Sequence, residues 1–586
     1  MRDPECQGGS RARGVAWALA LVLLALAPAV RADTVQVRIE GVSGPVLANV
    51  RAYLGIVQYT GEKGAEALRI RRLHQQAPGQ IRTALRAFGY YRPRIHSTLK
   101  HGDGGWQATY RIDPGPRVHL RRVDVEIGGD ARDDPAFANL RKNLPLQSGA
   151  PLNHADYETA KSRIMQLASA RGYLDARWRR SVLQIDPAAG AADAILELDS
   201  GPRYAFGAIE FHQSFLDEDF LRRFLRFRPG DPFEADKLRE LQYALDDSAY
   251  FRRVDVTAQR DRAHDGRVPI GVDLEPRARN RYTLGLGYGT DTGARVTAGW
   301  ESRYLDRQGH SASVELQFAQ ISTSLTARYV IPLRKPSRDQ IVLHASAGRQ
   351  EIGDGRSYQY ELGAQRVTTS GGWQRTFSLD FQRNRDVISG DHFSRDLVMP
   401  GVGLARSRYN DPVYATRGYR LALDLNGGTK TFGSDVSFLR GHIGVNYVRG
   451  ILPDTRVLLR GELGAVHVGN VSDLPLSQRF FAGGDQSVRG FAYQSLGPKD
   501  DQGNTVGGRY LVVGSIELEH IFYGNWGAAV FTDAGNAMND LSTPLRQSAG
   551  VGLRYRSPVG VFRVDLAKPL KGNEPARLHL GLEVDL

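Results

Sequence analysis

The chain ends in Arg577-Leu578-His579-Leu580-Gly581-Leu582-Glu583-Val584-Asp585-Leu586. Leu578, Leu580, Leu582, Val584 and Leu586 share one face, and Arg577, His579, Gly581, Glu583 and Asp585 share the other. A period of two is the signature of a β-strand. In a soluble sandwich the charged face of such a strand meets water and the apolar face a shared core. In a membrane barrel the apolar face meets lipid and the charged face a polar lumen. Repetition decides between them. From Arg281 onward helical periodicity disappears, and segments of roughly ten alternating residues recur between clusters of Gly, Asp, Asn and Pro. Phe377, Leu379 and Phe381 against Thr376, Ser378, Asp380 and Gln382 form another of them. About sixteen such segments fit between Arg281 and Leu586, and an even count is the rule for single-chain bacterial barrels.

The rest of the chain is of another kind. At 586 residues the sequence is too long for one ordinary domain, and a mean hydropathy of −0.38 is too low for a helical membrane protein. One continuous apolar run, Val15–Ala27, follows Arg11 and Arg13 and precedes Val30-Arg31-Ala32. That order predicts a secretory signal peptide over residues 1–32, cleaved near Ala32. The single cysteine, Cys6, lies ahead of the run, so the mature chain is expected to carry no disulfide, thiolate metal site or cysteine nucleophile. The formal charge of +13 comes from basic and acidic residues interspersed along the chain, which speaks against a nucleic-acid module.

Residues 33–275 hold a spaced repeat. Gly89-Tyr90-Tyr91, Gly172-Tyr173-Leu174 and Ala249-Tyr250-Phe251 each follow a helical pattern and precede a strand. Gly115-Pro116-Arg117 is echoed at Gly201-Pro202-Arg203. The second unit reads as strand, helix, helix, strand, strand: Val118–Ile127, Pro135–Asn143, His154–Arg171, Leu174–Ile185 and Ala194–Leu198. The third repeats it with Tyr204–Phe211, Asp217–Arg226, Glu234–Ala249, Phe251–Gln259 and Val268–Leu274. The expected domains are 33–115, 116–201 and 202–275, followed by the barrel over 276–586. The fold class is therefore α+β repeats followed by an all-β transmembrane barrel of about sixteen antiparallel strands. Each small unit buries one sheet face under two helices and leaves its edges available for an added strand.

Connections after even-numbered barrel segments are mostly short, as at Ser370-Gly371-Gly372 and Ser557-Pro558, and several others are longer. Short turns are periplasmic in such barrels. This places residues 33–275 in the periplasm and the longest connection, 467–508, on the outer side.

That connection contains Gly483-Gly484-Asp485-Gln486-Ser487-Val488-Arg489-Gly490-Phe491. Val488–Phe491 resembles the signature of the inward-folded sixth loop of the BamA superfamily. Phe531-Thr532-Asp533-Ala534-Gly535 resembles its partner motif on the thirteenth strand. The order and strand position of the pair match as well. The resemblance implies a loop lock made by Arg489, Gly490 and Phe491 with Asp533 and Glu517, and a partner motif anchored by Phe531 and Gly535. A guanidinium folded into the lumen needs carboxylates, and Asp533 and then Glu517 are the candidates. In a wet lumen, breaking the pair is expected to cost less than the ~3–5 kcal/mol of a dry one.

Within the superfamily, three periplasmic units of the POTRA type resemble the TamA family, the outer-membrane subunits of translocation and assembly modules. That resemblance implies a TamB-like inner-membrane-anchored partner and unfolded outer-membrane protein clients such as autotransporters. It also implies contact with outer-membrane lipid. A weak seam between the first and last strands, marked by Gly285, Gly287, Gly289 and Gly581, is the expected point of client entry. A passive channel and an intermembrane lipid-transport component are the competing classes. No G-x-S-x-G or H-E-x-x-H pattern points to an enzyme, and no cofactor, metal or nucleic acid is expected.

Overall fold

The computed structural model describes residues 34–62, 66–102 and 105–583. The expected leader with Cys6 and the terminal Val584–Leu586 lie outside them. Two compact units make up the chain. One runs to Phe206 and includes 230–236 and 263–268, and the other holds the remaining residues.

The first repeat comprises β1 (Thr34–Glu40), α1 (Gly44–Tyr53), α2 (Ala67–Arg86), β2 (Arg94–Gly102) and β3 (Gly105–Asp113). Helix α2 buries Ile70, Ala77, Ile81, Ala84 and Leu85 on one stripe, against Trp106, Ala108, Tyr110 and Ile112 of β3. The second repeat comprises β4 (His119–Gly128), α3 (Pro135–Lys142), α4 (His154–Ala170), β5 (Arg177–Asp186) and β6 (Ala191–Asp199). The third comprises β7 (Ala205–His212), α5 (Glu218–Arg222), α6 (Ala235–Asp246), β8 (Phe251–Ala258) and β9 (Arg267–Pro276). The strand orders are β1-β3-β2, β4-β6-β5 and β7-β9-β8, so the last strand of each repeat is central; β2, β5 and β8 form one edge, and the other edge is bridged at Val35–Thr60, His119–Pro151 and Ala205–Pro232.

The repeat markers have physical jobs. Gly89 and Gly172 end their helices at φ +85° and +87°, where a side chain is disfavoured. The arginines of the Gly-Pro-Arg echoes return to these same corners. Arg117 donates from Nε to Phe88 O at 2.8 Å, with its guanidinium over Tyr90, and Arg203 donates to Arg171 O at 2.9 Å, over Tyr173. Asp134 caps α3 through Ala136 N–H and accepts from Arg171 Nε and Tyr173 Oη. Burial raises its pKa, but these hydrogen bonds and the Arg171 charge outweigh it and hold the carboxyl below its ordinary range.

Two expectations are corrected. The helix read over Asp217–Arg226 spans only Glu218–Arg222, because Phe224 N–H turns back to Leu221 O and buries Phe224 and Phe227. The strand read from Leu174 starts at Arg177, since Tyr173–Ala176 forms a turn closed by Ala176 N–H to Tyr173 O. In the third repeat Ala249 occupies the corner at φ +63°. A methyl group in the left-handed region costs about 1 kcal/mol. Ala249→Gly should therefore raise stability by roughly 0.5–1 kcal/mol, read as a higher thermal unfolding midpoint of the full chain. An unchanged or lower midpoint would refute the strain.

No helix among the described residues is long and apolar enough to cross a membrane. Strands do it instead, in one sixteen-stranded antiparallel sheet that follows chain order. Its strands are β10 (Asn280–Gly289), β11 (Gly293–Ser302), β12 (Ser311–Ala319), β13 (Ser322–Pro332), β14 (Asp339–Ile352), β15 (Gly355–Ser370), β16 (Trp373–Ile388) and β17 (Asp391–Tyr409). They continue as β18 (Arg417–Gly428), β19 (Phe438–Leu452), β20 (Thr455–Val468), β21 (Tyr510–Tyr523), β22 (Trp526–Met538), β23 (Arg546–Ser557), β24 (Gly560–Pro569) and β25 (Arg577–Glu583). Tyr282, Leu284, Leu286 and Tyr288 of β10 point outward, and Gly285, Gly287 and Gly289 alternate with them.

Several outer connections are long, as expected, at 429–437, 469–509, 539–545 and 570–576, and others are short. At 353–354 and 389–390 they are tight turns, because β14 to β17 run for 14, 16, 16 and 19 residues and take up the loop length as strand. On the opposite side, the third repeat meets the connection between β11 and β12. Tyr250 Oη donates to Gly309 O at 2.6 Å, Arg307 Nε reaches Asp217 at 2.8 Å, and Phe215 packs on Tyr304.

Candidate functional site

The connection between β20 and β21 folds into the lumen around its own apolar residues. Leu474, Leu476, Phe480, Ala482, Val488, Phe491 and Leu496 are buried there, most of them against inner-wall side chains such as Leu397, Phe438 and Val513. Arg479 braces the loop internally, donating to Ser472 O, Leu474 O and Val506 O. The extended hairpins hold it from outside. Asp354 accepts from Thr505 N–H at 2.6 Å, and Ser389 bonds Asp500 at 2.6 Å.

Arg489 is the centre, with 1 % exposure. Its Nε and Nη2 fork onto Asp533 at 3.0 and 2.8 Å, and its backbone N–H reaches the same carboxylate at 3.1 Å. Nη1 lies 2.7 Å from Glu517 and 3.2 Å from Asp565. Ser515 Oγ accepts from Nη2 and donates to Asp533. The guanidinium carbon stands 3.3 Å above the Phe531 ring. Arg554 then joins Glu517 to Asp565, and Arg563 pairs with Asp485 of the loop. Alternating charges thus run across β21, β22, β23 and β24, and no one ion is left alone in a dry place. The site is drier than the wet lumen expected from sequence: a polar cavity of about 390 Å³ borders it and is lined by Arg489, Ser515 and Glu517, yet Arg489 and Asp533 are each only 1 % exposed, and Asp533 does not line the cavity.

The motif glycines follow from backbone proximity. A Cβ on Gly490 would stand 2.6 Å from Ser548 Cβ and 2.9 Å from Pro569 N, and one on Gly535 would stand 2.7 Å from Val512 O. Phe491 is buried in the loop's apolar core.

The sheet order begins at β10 and ends at β25, and among the described residues no backbone ladder joins the two. Thr290, in the turn after β10, accepts from Leu580 N–H at 3.4 Å. The loop bridges the same gap. Asp485 N–H donates to Asp291 at 2.5 Å, and His579 Nε2 lies 2.7 Å from Arg489 O. Gly285 and Gly287 face Thr297 and Arg295 of the neighbouring strand and Gly289 faces Thr292 of the turn, while Gly581 makes room for Arg563, 2.9 Å from where its Cβ would be.

Asp565, Arg554, Ser515, His579, Asp485 and Asp291 carry no role in the sequence reading. Strand parity holds the missing signal, since Glu517, Asp533, Arg554, Asp565 and His579 occupy the inward alternates of successive strands.

The Omp85 superfamily domain model matches residues 280–580. A POTRA domain model, TamA domain 1, matches 36–114, and a model described as a surface antigen variable number repeat matches 204–277. Among curated relatives, the outer membrane protein assembly factor BamA of Nitratidesulfovibrio vulgaris is 24% identical over 64% of this chain and 49% of its own length. BamA of Neisseria meningitidis is 22% identical over 82% of this chain and 69% of its own. The chain thus spans about half of the first relative and two thirds of the second. A crystal structure of BamA from Haemophilus ducreyi lacking POTRA domains 1–3 superposes with a TM-score of 0.68 at 17% identity, over 79% of this chain and 98% of that one. It shares the fold.

Proposed function

Because the chain belongs to the Omp85 superfamily, we propose that it is an outer-membrane factor that assembles or translocates other proteins, rather than a pore or an enzyme. Its barrel lies in the outer membrane and its POTRA units in the periplasm. The observation that carries the reading is the pairing of an unladdered seam with a lumen closed by an ion-locked loop. A passive channel needs neither. In the proposed cycle, a client strand pairs with the exposed edge of β10 or β25 while the loop keeps the lumen shut.

The finer reading is a TamA-type member working with a TamB-like, inner-membrane-anchored partner on unfolded outer-membrane proteins such as autotransporters. Support comes from the domain-1 model match and from three periplasmic units. The edges of the first sheet, β2 and the part of β1 beyond the Val35–Thr60 bridge, are where such a partner would dock.

Reconstitution tests the coarser claim. In liposomes holding the full chain, a urea-unfolded outer-membrane protein should fold at least several-fold faster than in empty liposomes. Equal rates, together with a large steady conductance, would favour the channel. Lipid transfer without client folding would favour a lipid carrier.

A further inference from the structure

Below the folded loop, three strands bring ligand-type side chains to one point on the lumen wall. They are His344 of β14, Glu361 of β15 and Asp380 of β16. His344 Nε2 lies 2.9 Å from Glu361 Oε1 and 3.2 Å from Asp380 Oδ1. Register explains the meeting. His344 stands opposite Gly363, and Gly363 stands opposite Asp380. A Cβ at 363 would fall 2.1 Å from Asp380 Oδ1 and 2.5 Å from His344 Cε1, so the absent side chain is what lets the two touch across β15. Gly363 is not in a left-handed conformation, so its backbone does not require glycine.

Hydrogen-bond accounting leaves the cluster short. Nε2 carries at most one proton, and the contact of hydrogen-bond geometry is the one to Glu361. Asp380 Oδ1 and His344 Nδ1 are both buried and have no hydrogen-bond partner. Two carboxylates sharing one imidazole proton are poorly satisfied, whereas a cation draws a lone pair from all three groups at once.

We propose that His344, Glu361 and Asp380 form a binding site for a first-row divalent cation such as Zn²⁺. Two carboxylates and a neutral imidazole cancel a charge of +2 and supply the nitrogen and oxygen donors such ions take. Bonds of about 2.0–2.1 Å in a tetrahedron separate ligand atoms by roughly 3.4 Å. The observed 2.9 and 3.2 Å need to open by about half an ångström or less, and the Glu361 and Asp380 oxygens lie within 4.8 Å of each other. Three protein ligands leave a fourth position facing a lumenal cavity of about 520 Å³ lined also by Ser378 and Asn426. Arg328, opposite His344 on β13, adds a positive charge that weakens the site. Gln382 links it to the loop, donating to Glu361 and accepting from Gln478 at 3.1 Å. Sequence reading expects no metal here, since three donors on three strands leave no spacing motif.

The test uses tag-free full-length protein in detergent, stripped with a chelator and titrated with Zn²⁺ and, for its visible absorption, Co²⁺. Wild type should take up one equivalent with a tetrahedral Co²⁺ spectrum. His344→Ala should bind at least ten-fold more weakly, and so should Gly363→Ala, which keeps every ligand and fills the gap between them. Heat-modifiable gel mobility reports folding. Where His344→Ala misfolds, Glu361→Gln, which preserves the shape and the hydrogen bond, is read instead. Equal uptake by wild type and these variants means an adventitious ion only and overturns the proposal, as does absence of stoichiometric uptake.

Discussion

Arg489→Ala should free the loop from the barrel wall and cost about 3–5 kcal/mol, the penalty for stranding a buried carboxylate. Asp533, Glu517 and Asp565 all bond this one guanidinium and lose it together. Arg554 still neutralises part of Glu517 and Asp565, so Asp533 suffers most. Arg489→Lys keeps the charge but not the fork that spans both oxygens of Asp533, and an intermediate loss of about 1–3 kcal/mol follows. Two measurements check this. Protease cleavage within 469–509 should become fast in Arg489→Ala and stay slow in wild type. Client folding in the liposome assay should drop at least ten-fold. A double-mutant cycle with Asp533→Asn should show strong coupling, because the two groups share one contact. A loop that stays protected in Arg489→Ala would mean that the apolar residues around Phe480 and Val488 hold it without the ions.

A disulfide across the seam should abolish client assembly reversibly. Thr290 Oγ1 and His579 Nδ1 lie 3.4 Å apart, so the two side chains already meet between the first hairpin and the last strand. Thr290→Cys with His579→Cys places two thiols there, and the only native cysteine, Cys6, falls in the expected leader. His579 also contacts Arg489 O, so the reduced double variant, not wild type, sets the baseline. Oxidation should lower client folding at least ten-fold from that baseline, and reductant should restore it. Full activity in the oxidised form would remove strand pairing at the seam from the mechanism.

Sequence made the barrel legible because lipid imposes period two along most of each strand. The first and last strands of the hairpin pairs fall within a few residues of the alternating segments, as at Trp373 and Arg577. The Asp217 helix was harder to read, because Phe220, Leu221, Phe224 and Phe227 all bury, and a cluster of apolar residues does not reveal where the turn tightens. Arg489 and Asp533 could be paired because each sits in a short pattern. Asp565 and Arg554 could not, since an inward charge on a strand looks the same whether it faces water or a buried arginine. The His344 cluster depends on Gly363, a residue whose contribution is a missing atom.

The strand lengths have a mechanical consequence. At a tilt near 45°, β10, β11 and β12, of 10, 10 and 9 residues, make a wall roughly 21–24 Å high, whereas the strands of 16 to 19 residues on the far side rise to roughly 37–44 Å. The apolar band of about 25 Å usual for barrels in the thin outer membrane is exceeded on one side and barely met on the other. In the proposed cycle, lipid beside the seam thins to meet the shorter wall at the place where a new strand would enter. On that reading the unequal wall makes the surrounding membrane part of the machinery.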